Sequence, residues 1–277
     1  MPATRPSSPP VALCLGGMDP SGGAGLLRDG LTLAELGCQP MAVSLAETLQ
    51  NGLGCSRIEP PALDASLRLE NLAPHLVGRW GVKIGLCALG RDEFRRLCAT
   101  LDQLAPSCRI WDPILAPSAG VGLHEGADLR AMASDLLAMG NWVVSPNRGE
   151  AARFAGLAPE AIPGASLEAL TTPWLAAGAA AVWLKGGHGT GAEVQDVWVT
   201  PDQVLPLEAV PRLPGERRGT GCILAASWLG LRLRGMSAVE AARLAAQRLR
   251  DRWELAFAPG EAGRMMFGPS SGHGEAP

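Results

Sequence analysis

Along this chain, short unbroken apolar runs alternate with longer stretches whose apolar residues recur at helical spacing. Residues 11–15 form the first run and stop at Gly16 and Gly17; an apolar run of that length bounded by glycine reads as a buried strand. The turn-forming M-D-P-S-G-G-A-G follows, and residues 26–36 carry helical periodicity up to a glycine stop at Gly37. The same reading predicts strands over 41–46, 80–86, 109–111, 142–144 and 180–184. Helices are predicted over 61–77 with a break near Pro74, over 91–104, 127–139 and 167–177, and, after S-P-N-R-G-E, as a short helix to Phe154. Residues 193–200 and 204–208 read as a hairpin around Pro201 and Asp202, and helices over 223–234 and 238–255 close the pattern. Strands that are continuously apolar and alternate with helices fit a parallel sheet covered on both faces. The expectation is an α/β fold: one domain over 11–257, a three-layer α/β/α sandwich on a mostly parallel sheet, between an extended tail at 1–10 and a flexible Gly/Ser/Pro tail at 258–277.

Composition narrows the function classes. Aromatics are 4% with no tyrosine, and the net charge is −3 without a long basic run. That combination is poorly suited to base stacking or to a polyanion, so nucleic acid is not an expected partner. The apolar run after the proline-rich N-terminus ends within seven residues, too short for a signal peptide or a membrane span. Seven scattered cysteines suggest neither a disulfide framework nor a zinc site, and a reducing cytoplasm is expected. Of 24 basic residues only Lys83 and Lys185 are lysine, which singles out both as possible compact point charges.

The chemistry-bearing residues collect immediately after the predicted strands, where ligands of open α/β sheets bind. They are G-G-M-D-P-S-G-G-A-G, K-I-G at 83–85, D-P at 112–113, S-P-N-R-G-E, K-G-G-H, and finally G-T-G-C at 219–222 opening an apolar helix. A glycine loop at a helix N-terminus presents free N–H groups and the positive end of the dipole to an anion. The same stretch also reads as an ordinary glycine-initiated helix with a small buried cysteine. Asn147 and Glu150, three residues apart, read on their own more as a helix cap with an exposed Glu than as oxygen donors to a cation.

Those motifs, with Asp29, Gln50-Asn51, V-K-I-G, S-P-N-x-x-E-A, V-W-L-K-G-G-H and Asp196, resemble the ribokinase-like superfamily from residue 11 to about 250. Within it they resemble the hydroxymethylpyrimidine/phosphomethylpyrimidine kinases of thiamine biosynthesis; cysteine in G-T-G-C, where sugar kinases usually have aspartate, resembles that branch and some pyridoxal kinases. The resemblance implies a homodimeric enzyme that uses ATP and Mg²⁺ to phosphorylate a hydroxymethylpyrimidine, its monophosphate, or both. Gly219, Thr220, Gly221 and Cys222 would form the catalytic anion hole, with Cys222 as base; a helix N-terminus lowers a thiol pKa from roughly 8.5 toward neutrality. Gly17, Asp29 and Gln50 would bind the pyrimidine. Lys185, Gly187, Asn147 and Arg218 would face the nucleotide, and Asn147 and Glu150 would hold Mg²⁺ through water. Lys83 would brace the site.

Four departures from the family pattern stand out. Arg217-Arg218 replaces Thr-His or similar residues before G-T-G-C, Glu47 replaces an apolar position before Gln50, Pro117-Ser118 replaces a polar or basic residue, and Leu86 replaces methionine. His188 beside two glycines reads as structural. The alternatives are a pyridoxal or pyridoxine kinase and, from another class, a non-catalytic pyrimidine- or nucleotide-binding regulatory protein.

Overall fold

The computed structural model describes residues 8–114, 126–187, 189, 191–258 and 265–268. The strands are β1 (Val11–Met18), β2 (Gln39–Gln50), β3 (Cys55–Glu59), β4 (Trp80–Ile84), β5 (Cys108–Trp111), β6 (Trp142–Val144), β7 (Ala181–Leu184), β8 (Glu193–Val194), β9 (Val197–Val199), β10 (Val204–Pro206), β11 (Val210–Pro211), β12 (Arg217–Arg218), β13 (Ala256–Phe257) and β14 (Met265–Phe267). The helices are α1 (Gly25–Glu35), α2 (Ala65–Leu72), α3 (Arg91–Leu104), α4 (Gly126–Leu137), α5 (Arg148–Ala155), α6 (Leu167–Ala176), α7 (Thr220–Leu233) and α8 (Ala238–Asp251). The main sheet runs β10-β9-β7-β6-β5-β4-β1-β2-β3. Its interior pairs from β2 to β7 are parallel, and β3, β9 and β10 add antiparallel edges.

Side-chain alternation divides the core into two layers. Leu13, Leu15, Val82 and Ile84 pack with Leu69, Phe94, Leu136 and Trp174 beneath α2–α6, whereas Ala12 and Cys14 pack with Leu33, Ile223, Leu229 and Ala245 beneath α1, α7 and α8. Helix α7 is buried almost along its whole length, which is why its sequence is apolar on every face. It lies so close to β4 that a Cβ at Gly81 would stand 2.7 Å from Leu229 Cδ1 and 2.9 Å from the Cys108 carbonyl oxygen. Removing the side chain there lets the helix carrying G-T-G-C settle on the sheet.

The α/β fold with its mostly parallel sheet follows the sequence pattern, with local differences. The predicted 61–77 helix is shorter: Asp64 caps α2 by accepting from Ser66 N and Leu67 N, and Ala73–His75 is a 3-10 turn around Pro74. Residues 55–58 are a true strand, paired antiparallel with the end of β2 to make a flap. The predicted 238–255 helix ends at Asp251 and continues as the 3-10 turn Trp253–Leu255. The tail expected to be flexible contains structure: β14 pairs with β12 and β13, and Phe267 is buried against the α1/α7/α8 layer.

Candidate functional site

Two glycine loops meet at the carboxyl edge of the sheet. Beyond β1, the Asp19 carboxylate accepts from Ser21 N (3.0 Å), Ser21 Oγ (2.7 Å) and Ala24 N (2.9 Å), winding residues 19–25 into a tight turn. Gly25 has φ +62°, and a Cβ there would stand 2.2 Å from the Gly17 carbonyl oxygen. The other loop opens α7. Gly219 is its N-cap at φ +77° with no side-chain cap, and a Cβ on it would stand 2.2 Å from the Gly23 carbonyl oxygen. Neither glycine can carry a side chain, so the loops remain in contact. The first turn of α7 offers its N–H groups and dipole to the cleft.

Buried charges lie behind these loops. Lys83 Nζ donates to Asp29 Oδ2 at 2.6 Å, with each side chain 1% exposed. Burial pushes Asp29 up to about 6, against the pull of Lys83. Burial opposes the Lys83 ammonium, but Asp29, Cys222 and Asp112 outweigh it and raise its pKa, so the pair is ionic at neutral pH. Lys185 Nζ donates to Asp112 Oδ1 at 2.7 Å. Asp112 Oδ2 is buried without a donor, as is Asp29 Oδ1. A Cβ at Gly221 would stand 3.2 Å from Asp112 Oδ2 and 3.5 Å from Lys185 Nζ, which puts the anion loop directly against this pair. Asp196 accepts from Gly186 N (2.8 Å) and Trp183 Nε1 (2.9 Å) and so holds the turn after Lys185.

A cavity of about 1190 Å³ takes its walls from every site residue expected from sequence: Gly17, Asp29, Gln50, Asn147, Glu150, Lys185, Gly187, Arg218, Gly219, Thr220, Gly221 and Cys222. Four of them, Cys222, Asn147, Glu150 and Arg218, have surroundings that the sequence did not announce. The Cys222 thiol is pushed up to about 11, not down, because burial and the carboxylates of Asp29 and Asp112 outweigh Lys83 and the Gly25 N–H. Asn147 and Glu150 form a reciprocal capping box on α5, Asn147 Oδ1 accepting from Glu150 N (2.9 Å) and Glu150 Oε2 from Asn147 N (2.7 Å). Burial pushes Glu150 up to about 7, with Lys185 opposing and Asp112 adding to the rise. Arg218 is tied into the cleft wall by Asp19 and Ser21 instead of standing open at its mouth.

Among the departures, Leu86 packs on Gly17, whose Cβ would meet it at 2.7 Å. Glu47 is exposed opposite Glu59 on the flap, and Arg217 stacks over Trp253 at 5.1 Å. Pro117, Ser118 and His188 lie outside the described residues. Sequence reasoning gave Asp19 and Asp112 no role, although both follow strands within quoted motifs. It missed Arg28, which donates to the carbonyls of Gly22 (2.9 Å) and Phe267. A lone arginine inside an apolar helix was the only signal.

The donor set suits a hard cation. Asp112 has a free buried oxygen and Glu150 lines the same cavity. Among the described residues no group of three or more His, Cys, Asp or Glu is gathered to grip an ion. Asp112 and Glu150 would supply the one or two carboxylates through which Mg²⁺ binds beside phosphates while keeping most of its waters.

Comparison with known proteins agrees with this geometry. The pyridoxal kinase from Staphylococcus aureus in complex with AMP-PCP and pyridoxal superposes with TM-score 0.79 at 21% identity, covering 95% of this chain and 94% of that one. The phosphomethylpyrimidine kinase from Clostridium difficile 630 gives TM-score 0.70 at 22% identity, covering 87% and 98%. In sequence, the hydroxymethylpyrimidine/phosphomethylpyrimidine kinase of Rhizobium meliloti is 30% identical over 235 residues, 83% of this chain and 85% of the relative. The family model described as phosphomethylpyrimidine kinase matches residues 19–266, nearly the full described fold, and the chain belongs to that kinase family.

Proposed function

We propose that this enzyme transfers the γ-phosphoryl group of ATP to the hydroxymethyl oxygen of 4-amino-5-hydroxymethyl-2-methylpyrimidine, to its monophosphate, or to both in succession. The observation that carries this reading is the convergence of the uncapped first turn of α7 with Lys83, Lys185 and Asp112 in one cleft. Phosphoryl transfer needs in-line positioning and charge stabilisation more than covalent chemistry. The N–H groups of Gly219 to Cys222 face the transferred group, and Lys185 faces the nucleotide phosphates beside Gly187. Gly17, Asp29 and Gln50 line the acceptor side, where Gln50 supplies the donor–acceptor pair that an aminopyrimidine edge requires.

Cys222 takes the proton of the acceptor hydroxyl, with Lys83 and the Gly25 N–H favouring the thiolate it must be. Asn147, Glu150 and Asp112 would hold Mg²⁺, largely through water; when bound it offsets phosphate charge and the opposing charge of Asp112. Asp112 is the second candidate base, since its free Oδ2 lies against Gly221.

An ADP-release assay with the pyrimidine alcohol, its monophosphate and pyridoxal tests the reading. Turnover of either pyrimidine above pyridoxal is expected. Preference for pyridoxal would favour a vitamin B6 kinase, and saturable binding without turnover would favour a regulatory protein. We also read the enzyme as a cytoplasmic homodimer: Leu49 and Leu53 at the flap and Leu27 and Leu31 on α1 are exposed apolar surface that a second copy would cover. Sedimentation at twice the 28.8 kDa chain mass is expected, and a monomer at micromolar concentration would remove that reading.

A further inference from the structure

We infer that Arg218 is an acceptor-side positioning residue: its buried ion pair with Asp19 latches the 19–25 loop onto the G-T-G-C loop. This rests on the kinase reading above but moves Arg218 away from the nucleotide. Arg218 Nη2 donates to Asp19 Oδ2 at 2.8 Å and Nη1 to Ser21 Oγ at 3.0 Å. The two charged side chains are 8% and 2% exposed. Both terminal nitrogens are therefore engaged by the loop that follows β1, and the guanidinium is not presented as a phosphate clamp.

Contact reinforces the charge. At Gly23 a Cβ would stand 3.0 Å from Arg218 Nη1 and 3.2 Å from Met266 Cε, while the neighbouring Gly219 abuts the Gly23 carbonyl. The strand bearing Arg218 is itself fixed from the far end of the chain, because Arg218 pairs in register with Met266 of β14. Residues 19–25 connect Gly17 to α1, which carries Asp29, so the loop held by Arg218 joins two of the three acceptor-side groups. Lys185 and Gly187 follow β7, several strands away across the sheet. A charged partner held in desolvated surroundings fixes geometry strongly, because stranding either group is costly. Arg217, by contrast, stacks over Trp253 and donates to the Glu216 carbonyl, away from the 19–25 loop.

The test uses the full-length enzyme with Arg218→Met, Arg218→Lys and the double variant Asp19→Asn/Arg218→Met, which strands no charge and keeps the fold within reach. Amide hydrogen exchange in the protein alone should accelerate about tenfold or more across residues 21–25 in the double variant, the scale expected for losing charged hydrogen bonds. Unchanged exchange there would overturn the latch whether or not the kinase reading holds. In steady-state kinetics Arg218→Met and the double variant should raise the acceptor KM by about tenfold while the ATP KM stays within about twofold, with Arg218→Lys intermediate. A raised ATP KM with an unchanged acceptor KM would make Arg218 a nucleotide clamp and overturn the proposal. Wild-type enzyme without turnover of either pyrimidine would instead sink the kinase reading, leaving the exchange measurement to decide the latch.

Discussion

Cys222 shows how far a residue's chemistry depends on what surrounds it. A helix N-terminus alone favours a thiolate, yet burial and two carboxylates from other elements push this thiol up to about 11. Below that value the neutral thiol predominates, so the reactive fraction grows as pH rises. Peptide-resolved alkylation of the ligand-free enzyme should therefore be slow at neutral pH and accelerate by about tenfold per pH unit between 7 and 10. A rate already at its plateau at neutral pH would show that the helix terminus and Lys83 prevail. The position of Cys222 was legible because glycines and an apolar run mark the start of a buried helix. Its acidity was not, because Asp29 and Asp112 reach it from α1 and the end of β5. The partner of Arg218 was hidden for the same reason: Asp19 lies 199 positions earlier in the chain.

At the level of elements, the parallel strands were readable because burial on both faces makes each a continuous apolar run. The C-terminal strand was not. Its three residues lie inside a Gly/Ser/Pro-rich stretch, and its parallel partner β12 is a two-residue strand nearly fifty residues earlier. No local periodicity can announce such a pairing. Arg28 and Arg252 secure it through the Phe267 and Gly268 carbonyls, and Phe267 is 1% exposed beside Trp253. Phe267→Ala should destabilise the enzyme by about 3–5 kcal/mol in urea unfolding, as deletion of a buried aromatic ring does. A loss below about 0.5 kcal/mol, typical of surface substitutions, would place that strand outside the core.

Over the whole molecule, the fold serves to bring one sheet edge together. Loops at the ends of β1, β4, β5, β6 and β7, the N-terminus of α7 and side chains of β4, α1 and α5 bring glycine backbone together with Lys83, Lys185, Asp19, Asp29, Asp112 and Glu150 in a single cleft. Strand-end motifs made the membership of that cleft legible from sequence. The pairing within it was not, because which carboxylate each cation meets depends on side chains crossing between neighbouring elements: Lys83 reaches α1, and Lys185 reaches the end of β5. Among the described residues no helix is long and apolar enough to cross a membrane. If the Gly219 to Cys222 loop carries phosphoryl transfer with Cys222 as base, as proposed, Cys222→Ala separates kcat from calorimetric binding of the pyrimidine alcohol. The expected kcat is lower by about 10²–10⁴-fold, the usual contribution of a positioned base, with the binding constant within about threefold of wild type. A near wild-type kcat in that variant would contradict the proposal and transfer the base role to Asp112.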